Sequence, residues 1–170
     1  MSEKKEFRIE RATVRDVPLI LQLIKELAEY EKMSSDVTAT EGGLREALFG
    51  ARPAADVIIA YAGDVPAGFA LFFPNYSTFL GKPGLYLEDL FVRPEFRGHG
   101  YGLGLMKYLA RTAVERGCGR FEWSVLDWNE PAIGFYKKLG AVALDDWTTF
   151  RVTGEALARL ERLAGQVGVY

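Results

Sequence analysis

The chain of 170 residues holds one cysteine, Cys118, and one histidine, His99. A lone cysteine excludes an internal disulfide, and with a single histidine beside it a zinc cluster is not expected, so no metal is anticipated and a reducing compartment fits best. No stretch approaches the roughly 18 apolar residues that span a bilayer, and residues 1–8 are charged rather than apolar. Neither a signal peptide nor a membrane partner is therefore expected, and the sequence reads as cytoplasmic. An excess of one charge is missing too. With 21 basic and 23 acidic residues the formal charge is -2, which offers no broad basic field to nucleic acid or an anionic membrane. Ser/Pro linkers, low-complexity tracts and internal repeats are absent, so residues 1–170 are expected to form a single domain, with residues 1–6 flexible.

What is present is ordinary globular material, 49% apolar and 26% charged, enough to close a core at this length. Residues 7–10 alternate as a first strand. Asp16 is placed to cap a helix that tolerates Pro18 in its first turn and ends near Lys32, with Val17, Ile20, Leu21, Ile24, Leu27 and Ala28 on one face. A shorter helix over residues 40–49 stops at Gly50. Residues 57–62 and 65–73, separated by Gly63-Asp64, predict a β-hairpin, and residues 85–92 a further strand ended by Pro94. From Tyr101, the residues Leu103, Met106, Leu109, Ala110, Ala113 and Val114 predict a helix that stops at Gly117. Phe121, Trp123 and Val125 alternate as a strand. Asn129 then caps a helix carrying Pro131, and a last strand over residues 147–152 precedes a helix over residues 153–164. This order indicates an α/β (α+β) fold, a mixed sheet covered by helices.

The chemistry concentrates between the strand at 85–92 and the helix from Tyr101. Gly98, Gly100, Gly102 and Gly104 alternate in the connection, so unpaired backbone N–H groups converge at the positive end of a helix dipole. That is a phosphate-binding arrangement, to which Arg97 can add a charge-assisted contact. A P-loop would need Gly-Lys-Ser/Thr after its second glycine, and a dinucleotide fingerprint would need G-x-G-x-x-G; this loop has neither.

Arg97-Gly98-His99-Gly100-Tyr101-Gly102 matches the Arg/Gln-x-x-Gly-x-Gly/Ala signature of the GNAT acetyltransferases. The chain also resembles the diamine (spermidine/spermine) N-acetyltransferase family in residues 24–31 (IKELAEYE), 86–89 (YLED), 128–131 (WNEP) and 135–137 (FYK). Through Tyr76-Ser77-Thr78 and residues 125–129 (VLDWN) it is similar to the thialysine N-ε-acetyltransferase branch. The resemblance covers residues 7–150. It implies a central, mostly antiparallel twisted sheet flanked by helices, acetyl-CoA as acetyl donor, a small-molecule primary amine as acceptor, and a homodimer. The spermidine-type enzymes carry an acidic residue where Ser77 stands and an arginine where Gln22 stands, which shifts weight from polyamines toward an amino acid with a side-chain amine. A non-catalytic acetyl-CoA-binding module and a protein-amine acetyltransferase are the alternatives.

An alkylammonium costs about 4.6 kcal/mol to deprotonate at pH 7, so a base must share the site. The resemblance implies that Glu88 takes this proton through water and that Tyr136 protonates the leaving thiolate. It places the backbone of Leu90 at the carbonyl oxygen of the donor, and Phe91, Val92, Arg97, Gly98, His99, Gly100, Tyr101, Gly102, Leu103, Asn129 and Tyr136 along the cosubstrate. It gives the acceptor Tyr30, Glu31, Ser77, Glu88, Asp89 and Trp147. By strand periodicity Asp89 faces away from Glu88, and only a bulge would bring both carboxylates to one pocket. His99 occupies a variable loop position and Cys118 a helix-to-strand turn, so neither is expected to act in catalysis, and transfer is expected to be direct.

Overall fold

The computed structural model describes residues 6–164 and shows a mixed α/β architecture. The chain divides into two compact units between Ser124 and Val125. The first holds a five-stranded sheet in the order β1 (Phe7–Arg11), β2 (Asp56–Ala62), β3 (Val65–Ser77), β4 (Lys82–Val92) and β5 (Arg120–Trp123). The first four strands are antiparallel neighbours and β5 runs parallel to β4. A parallel pair needs a crossover, here α3 (Tyr101–Glu115).

Two further helices, α1 (Val17–Tyr30) and α2 (Glu41–Phe49), lie between β1 and β2 in the chain. Their Ile20, Leu23, Leu27 and Leu48 bury against Val57, Ile59, Phe69 and Phe91 of the sheet. Ile58, Ala60, Ala70 and Phe72 alternate with those residues along β2 and β3, are fully buried, and point to the opposite face. There α3 crosses the strands with Leu105, Met106, Leu109 and Ala113 buried. Leu105 and Leu109 are completely enclosed, a burial worth about 2 kcal/mol each. Leu103 and Val114, expected on this face, are 41% and 78% exposed, since the buried stripe runs through Leu105 instead.

The helix starts are set locally. Asp16 does not cap α1 with its side chain. Its carboxylate turns back to Thr13, accepting from the Thr13 N–H at 2.7 Å and Oγ1 at 2.9 Å, which closes a capping box around one 3₁₀ turn. The end of α1 is a Schellman turn. Lys32 takes a left-handed φ of 61°, and the Met33 N–H reaches the Ala28 carbonyl at 2.8 Å. Glu31 is thereby fixed as the C-cap.

The second unit holds α4 (Glu130–Lys138) and α5 (Gly154–Ala164). The strand expected at residues 147–152 is not formed, and the expected 121–125 strand ends at Trp123. Strand propensity is realised only where a ladder partner is present, and Trp147 and Phe150 are 80% and 90% exposed in an unpaired segment. Of the residues expected to be flexible, 1–5 lie outside the described ones, while the Glu6 carbonyl accepts from the Gly63 N–H at 2.8 Å.

Candidate active site

A β-bulge at the centre of the first unit changes the reading of β4. Phe72 pairs with Leu87 and Leu71 with Asp89, so Glu88 is the extra residue. Each step along a strand reverses the face, and one unpaired residue therefore flips everything beyond it. Ahead of the bulge Leu87 pairs with Phe72, on the α3 face. Past it Asp89 pairs with Leu71 and Phe91 with Phe69, on the α1 face. The period-two expectation for Asp89 is thus overturned by the one exception named for it.

Three carboxylates gather as a result. Asp89 is largely buried, and burial pushes its carboxyl up to about 6, with the charges of Glu88 and then Glu31 adding to the rise. Burial also raises Glu31 above the ordinary carboxylate value. Glu88 itself is exposed, as the unpaired residue of a bulge can be. The site therefore concentrates negative charge at the C-terminal end of α1, where the helix dipole is negative as well. A cation entering here is stabilised by all three groups.

Beside this cluster, a groove of about 560 Å³ is lined by Gln22, Glu26, Tyr30, Phe91, Arg93 and Arg97, among others. The Arg97 guanidinium lies over the Tyr30 ring at 4.5 Å, and its Nε donates to the Val92 carbonyl at 2.9 Å. Arg93 is bidentate to Glu26, with Nε and NH2 each at 2.8 Å, and NH1 donates to the Pro66 carbonyl. Gln22 donates to the same carboxylate at 2.9 Å. Hydrogen bonding to Arg93 holds Glu26 below the usual carboxylate range. This clamp between α1 and the end of β4 escaped sequence reasoning, because Glu26 and Arg93 are 67 residues apart and neither belongs to a local motif.

The glycine loop begins where the clamp ends. Gly98 and Gly100 have φ of 77° and 89°, a left-handed region that costs other residues about 1–2 kcal/mol. A Cβ built on either would meet nothing within 4 Å. The space over the loop is open and would be filled by side chains in any other sequence. Gly100 is the N-cap of α3 and provides no side-chain cap, and the Gly104 N–H makes the helical bond to the Gly100 carbonyl at 2.9 Å. The N–H groups of Tyr101, Gly102 and Leu103 precede that bond, in the turn that by helix geometry has no intrahelical acceptor. An anion fits this cradle by backbone donors and dipole alone. Gly104 has another function, since a Cβ there would come within 2.3 Å of the Phe7 ring, so its smallness lets β1 close on α3.

Side chains in this segment serve the fold more than the cradle. Tyr101 is buried edge-on between Phe7 at 5.0 Å and Phe96 at 5.7 Å, and Phe91 is buried in the α1 core. Leu90 and Val92 are half-buried and His99 is exposed. Its Nδ1 lies 2.8 Å from the Arg97 carbonyl.

Ser77 is not brought to the carboxylates. It pairs with Lys82 at the far end of the β3–β4 hairpin, six residues from Glu88 and so about 20 Å along the strand. Its buried Oγ accepts from the Leu80 N–H at 3.2 Å, which pins the turn. In the second unit, Asn129 is the buried N-cap of α4, its Oδ1 accepting from the Ala132 N–H at 3.4 Å as expected from Pro131 after it. Tyr136 lies two turns along the same helix, 5.3 Å ring to ring from Phe135. Trp147 is exposed, with its N–H bonded to the Leu144 carbonyl.

Comparison with known proteins agrees with this arrangement. The family model described as acetyltransferase (GNAT) family matches residues 20–141. The thialysine N-epsilon-acetyltransferase of Caenorhabditis elegans is 41% identical over 90% of this chain and 96% of its own. The L-ornithine N5-acetyltransferase of Arabidopsis thaliana is 35% identical over 92% and 88%. Among solved structures, an integron cassette protein from the mobile metagenome of V. cholerae superposes with a TM-score of 0.78 at 29% identity, covering 92% of this chain and 98% of that one. The glycine loop, the sheet and these relatives agree: the chain belongs to the acetyltransferase (GNAT) family and is an N-acetyltransferase.

Proposed function

We propose that the protein transfers an acetyl group from acetyl-CoA to a primary amine of a small molecule, a lysine-like amino acid or a diamine, by direct attack of the amine. The observation that supports this reading is the β4 bulge, past which the buried Asp89 feels the charges of Glu88 and Glu31, a setting suited to an ammonium group. The two named relatives above act, by their names, on ornithine and thialysine, both amino acids with a side-chain amine.

In this reading the backbone from Gly98 to Leu103 and the N-terminus of α3 hold the pyrophosphate of acetyl-CoA, with Arg97 at its flank and Asn129 along the pantetheine. Acetyl-CoA supplies an activated acyl group as a thioester. Glu88, exposed to water, takes the ammonium proton through a water molecule, while Asp89 and Glu31 hold the cation in place. The N–H of Leu90 faces the carbonyl oxygen where negative charge develops, and Tyr136 returns a proton to the thiolate. Tyr30 and Trp147 flank the acceptor. The family match runs across the boundary between the two units, which supports one acetyltransferase domain over residues 1–170. A homodimer in the cytoplasm completes the proposal.

Steady-state rates with acetyl-CoA and a panel of thialysine, lysine, ornithine, diamines, spermidine and basic peptides test it. Turnover of the small amines is expected. Tight CoA binding with no turnover of any amine would identify a binding module instead, and turnover of peptides alone a protein acetyltransferase.

A further inference from the structure

The α1 face of the sheet continues past the carboxylates along β3, β4 and β5. Leu71 is the last β3 residue packed with the helical core. The next row on that face is Phe73, Tyr86 and Glu122, and the row after it Asn75, Gly84 and Arg120, both aligned by strand register. Phe73 and Tyr86 lie ring to ring at 5.2 Å and 31°, a half-buried apolar floor. Beyond the floor Arg120 and Glu122 form an ion pair, Nε to Oε2 at 2.7 Å, with the two side chains 37% and 29% exposed. Asn75 donates to the same Oε2 at 3.1 Å. The amide can lie there because Gly84 has no side chain; a Cβ would come within 2.2 Å of it. All three polar side chains belong to strands of the first unit, and both contacts to Glu122 fall on one oxygen.

A fixed cation and a fixed anion side by side complement a group that carries both charges on neighbouring atoms. The α-ammonium and α-carboxylate of an amino acid are such a group; a diamine has no carboxylate to offer Arg120. The row of Asp89 and the row of Glu122 are two residues apart on β3, about 7 Å, which a lysine-type or ornithine-type side chain spans across the aromatic floor. We infer that Arg120 and Glu122 form the subsite for the α-amino acid head of the acceptor, setting preference for amino acids with a side-chain amine over the corresponding diamines. The Arg120 guanidinium donates to the carboxylate, Glu122 accepts from the ammonium, and Asn75 orients Glu122. This inference rests on the reading of the bulge as the amine position.

The test compares kcat/KM for L-ornithine against putrescine, and L-lysine against cadaverine, each pair differing only by the carboxylate. The wild-type protein should favour the amino acids. R120Q should lower the ornithine-to-putrescine ratio about tenfold or more, chiefly through the KM for ornithine, because a site built to pair a charge discriminates strongly against losing it. E122Q should lower kcat/KM for ornithine and putrescine alike, since both carry the ammonium that Glu122 accepts, and R120K should keep more of the ratio than R120Q; these two decide the matter if R120Q does not fold. Calorimetric titration of ornithine into each variant gives the same ranking without turnover. A wild-type preference for diamines, an unchanged ratio in the folded Arg120 variants, or unchanged kcat/KM for both substrates in E122Q would overturn the subsite while leaving the acetyltransferase reading intact. Wild-type inactivity toward every amine would overturn that reading itself.

Discussion

Asp89→Asn provides the sharpest test of the buried cluster. Burial, then the charges of Glu88 and Glu31, raise the Asp89 carboxyl from 3.8 to about 6. A folded-state value above the unfolded one means that the native protein holds the proton more tightly. The group therefore costs nothing below about pH 4, and its penalty grows as pH rises through the window from 3.8 to about 6. Above pH 7 the penalty is complete at about 3 kcal/mol, before discounting for water that reaches the site. Asparagine keeps the shape and never ionises. D89N should thus be more stable than wild type at pH 7.5 by up to this amount, or about 6–12 °C in Tm for a chain of this size, with the advantage vanishing near pH 4. Urea unfolding of both proteins at half-unit steps from pH 4 to 8 measures the difference directly, and subtraction removes the other titrating groups. Adding E88Q should shrink the D89N advantage, because one of the two neighbouring charges is gone. Stability curves that run parallel across the whole range would refute the desolvated carboxylate. The same substitution should raise the KM for the amine, so that stability gained is affinity lost.

Glu88→Gln should lower kcat by about 10²-fold and leave CoA binding unaltered, as expected of a proton acceptor; single-turnover rates with lysine or ornithine check it, and an unchanged rate would free Glu88 of the role. Tyr136→Phe should lower kcat more than it weakens CoA binding, measured by rapid quench alongside equilibrium titration, and undiminished turnover would remove Tyr136 as the acid. The two glycine functions should separate. G100A, at a φ of 89°, should weaken CoA binding and cost about 1 kcal/mol of stability, whereas G104A should act through the Phe7 contact, lowering Tm without a matching change in CoA affinity.

Much of the arrangement was legible in the residues because it was local. The hairpin about Gly63-Asp64, the Asn129 cap and the glycine loop before α3 each depend on a few adjacent residues, and each was placed correctly. What was not legible depends on partners distant in the chain. Nothing in Tyr86-Leu87-Glu88-Asp89 announces a bulge, which exists because β3 and β4 change register. Residues 147–152 have strand-like composition, yet exposure rather than a ladder decided their state. Ser77 looked like a substrate residue by its neighbours in sequence, but the hairpin carries it away from the carboxylates. The Glu26–Arg93 clamp and the Arg120–Glu122–Asn75 group are further cases, since only the folded sheet brings them together.

The bulge at Glu88 also sets the proposed chemistry apart from the packing. The residue proposed to take the ammonium proton is the one residue of β4 left out of the pairing between Leu87 and Asp89. Deleting it would close β4 into a regular strand, with Leu87 still opposite Phe72 and Phe91 still opposite Phe69 in the α1 core. The helical layer would stay seated while the carboxylate was lost. Nothing in the hydrophobic core therefore requires the extra residue, and its side chain is what the strand gains by carrying it.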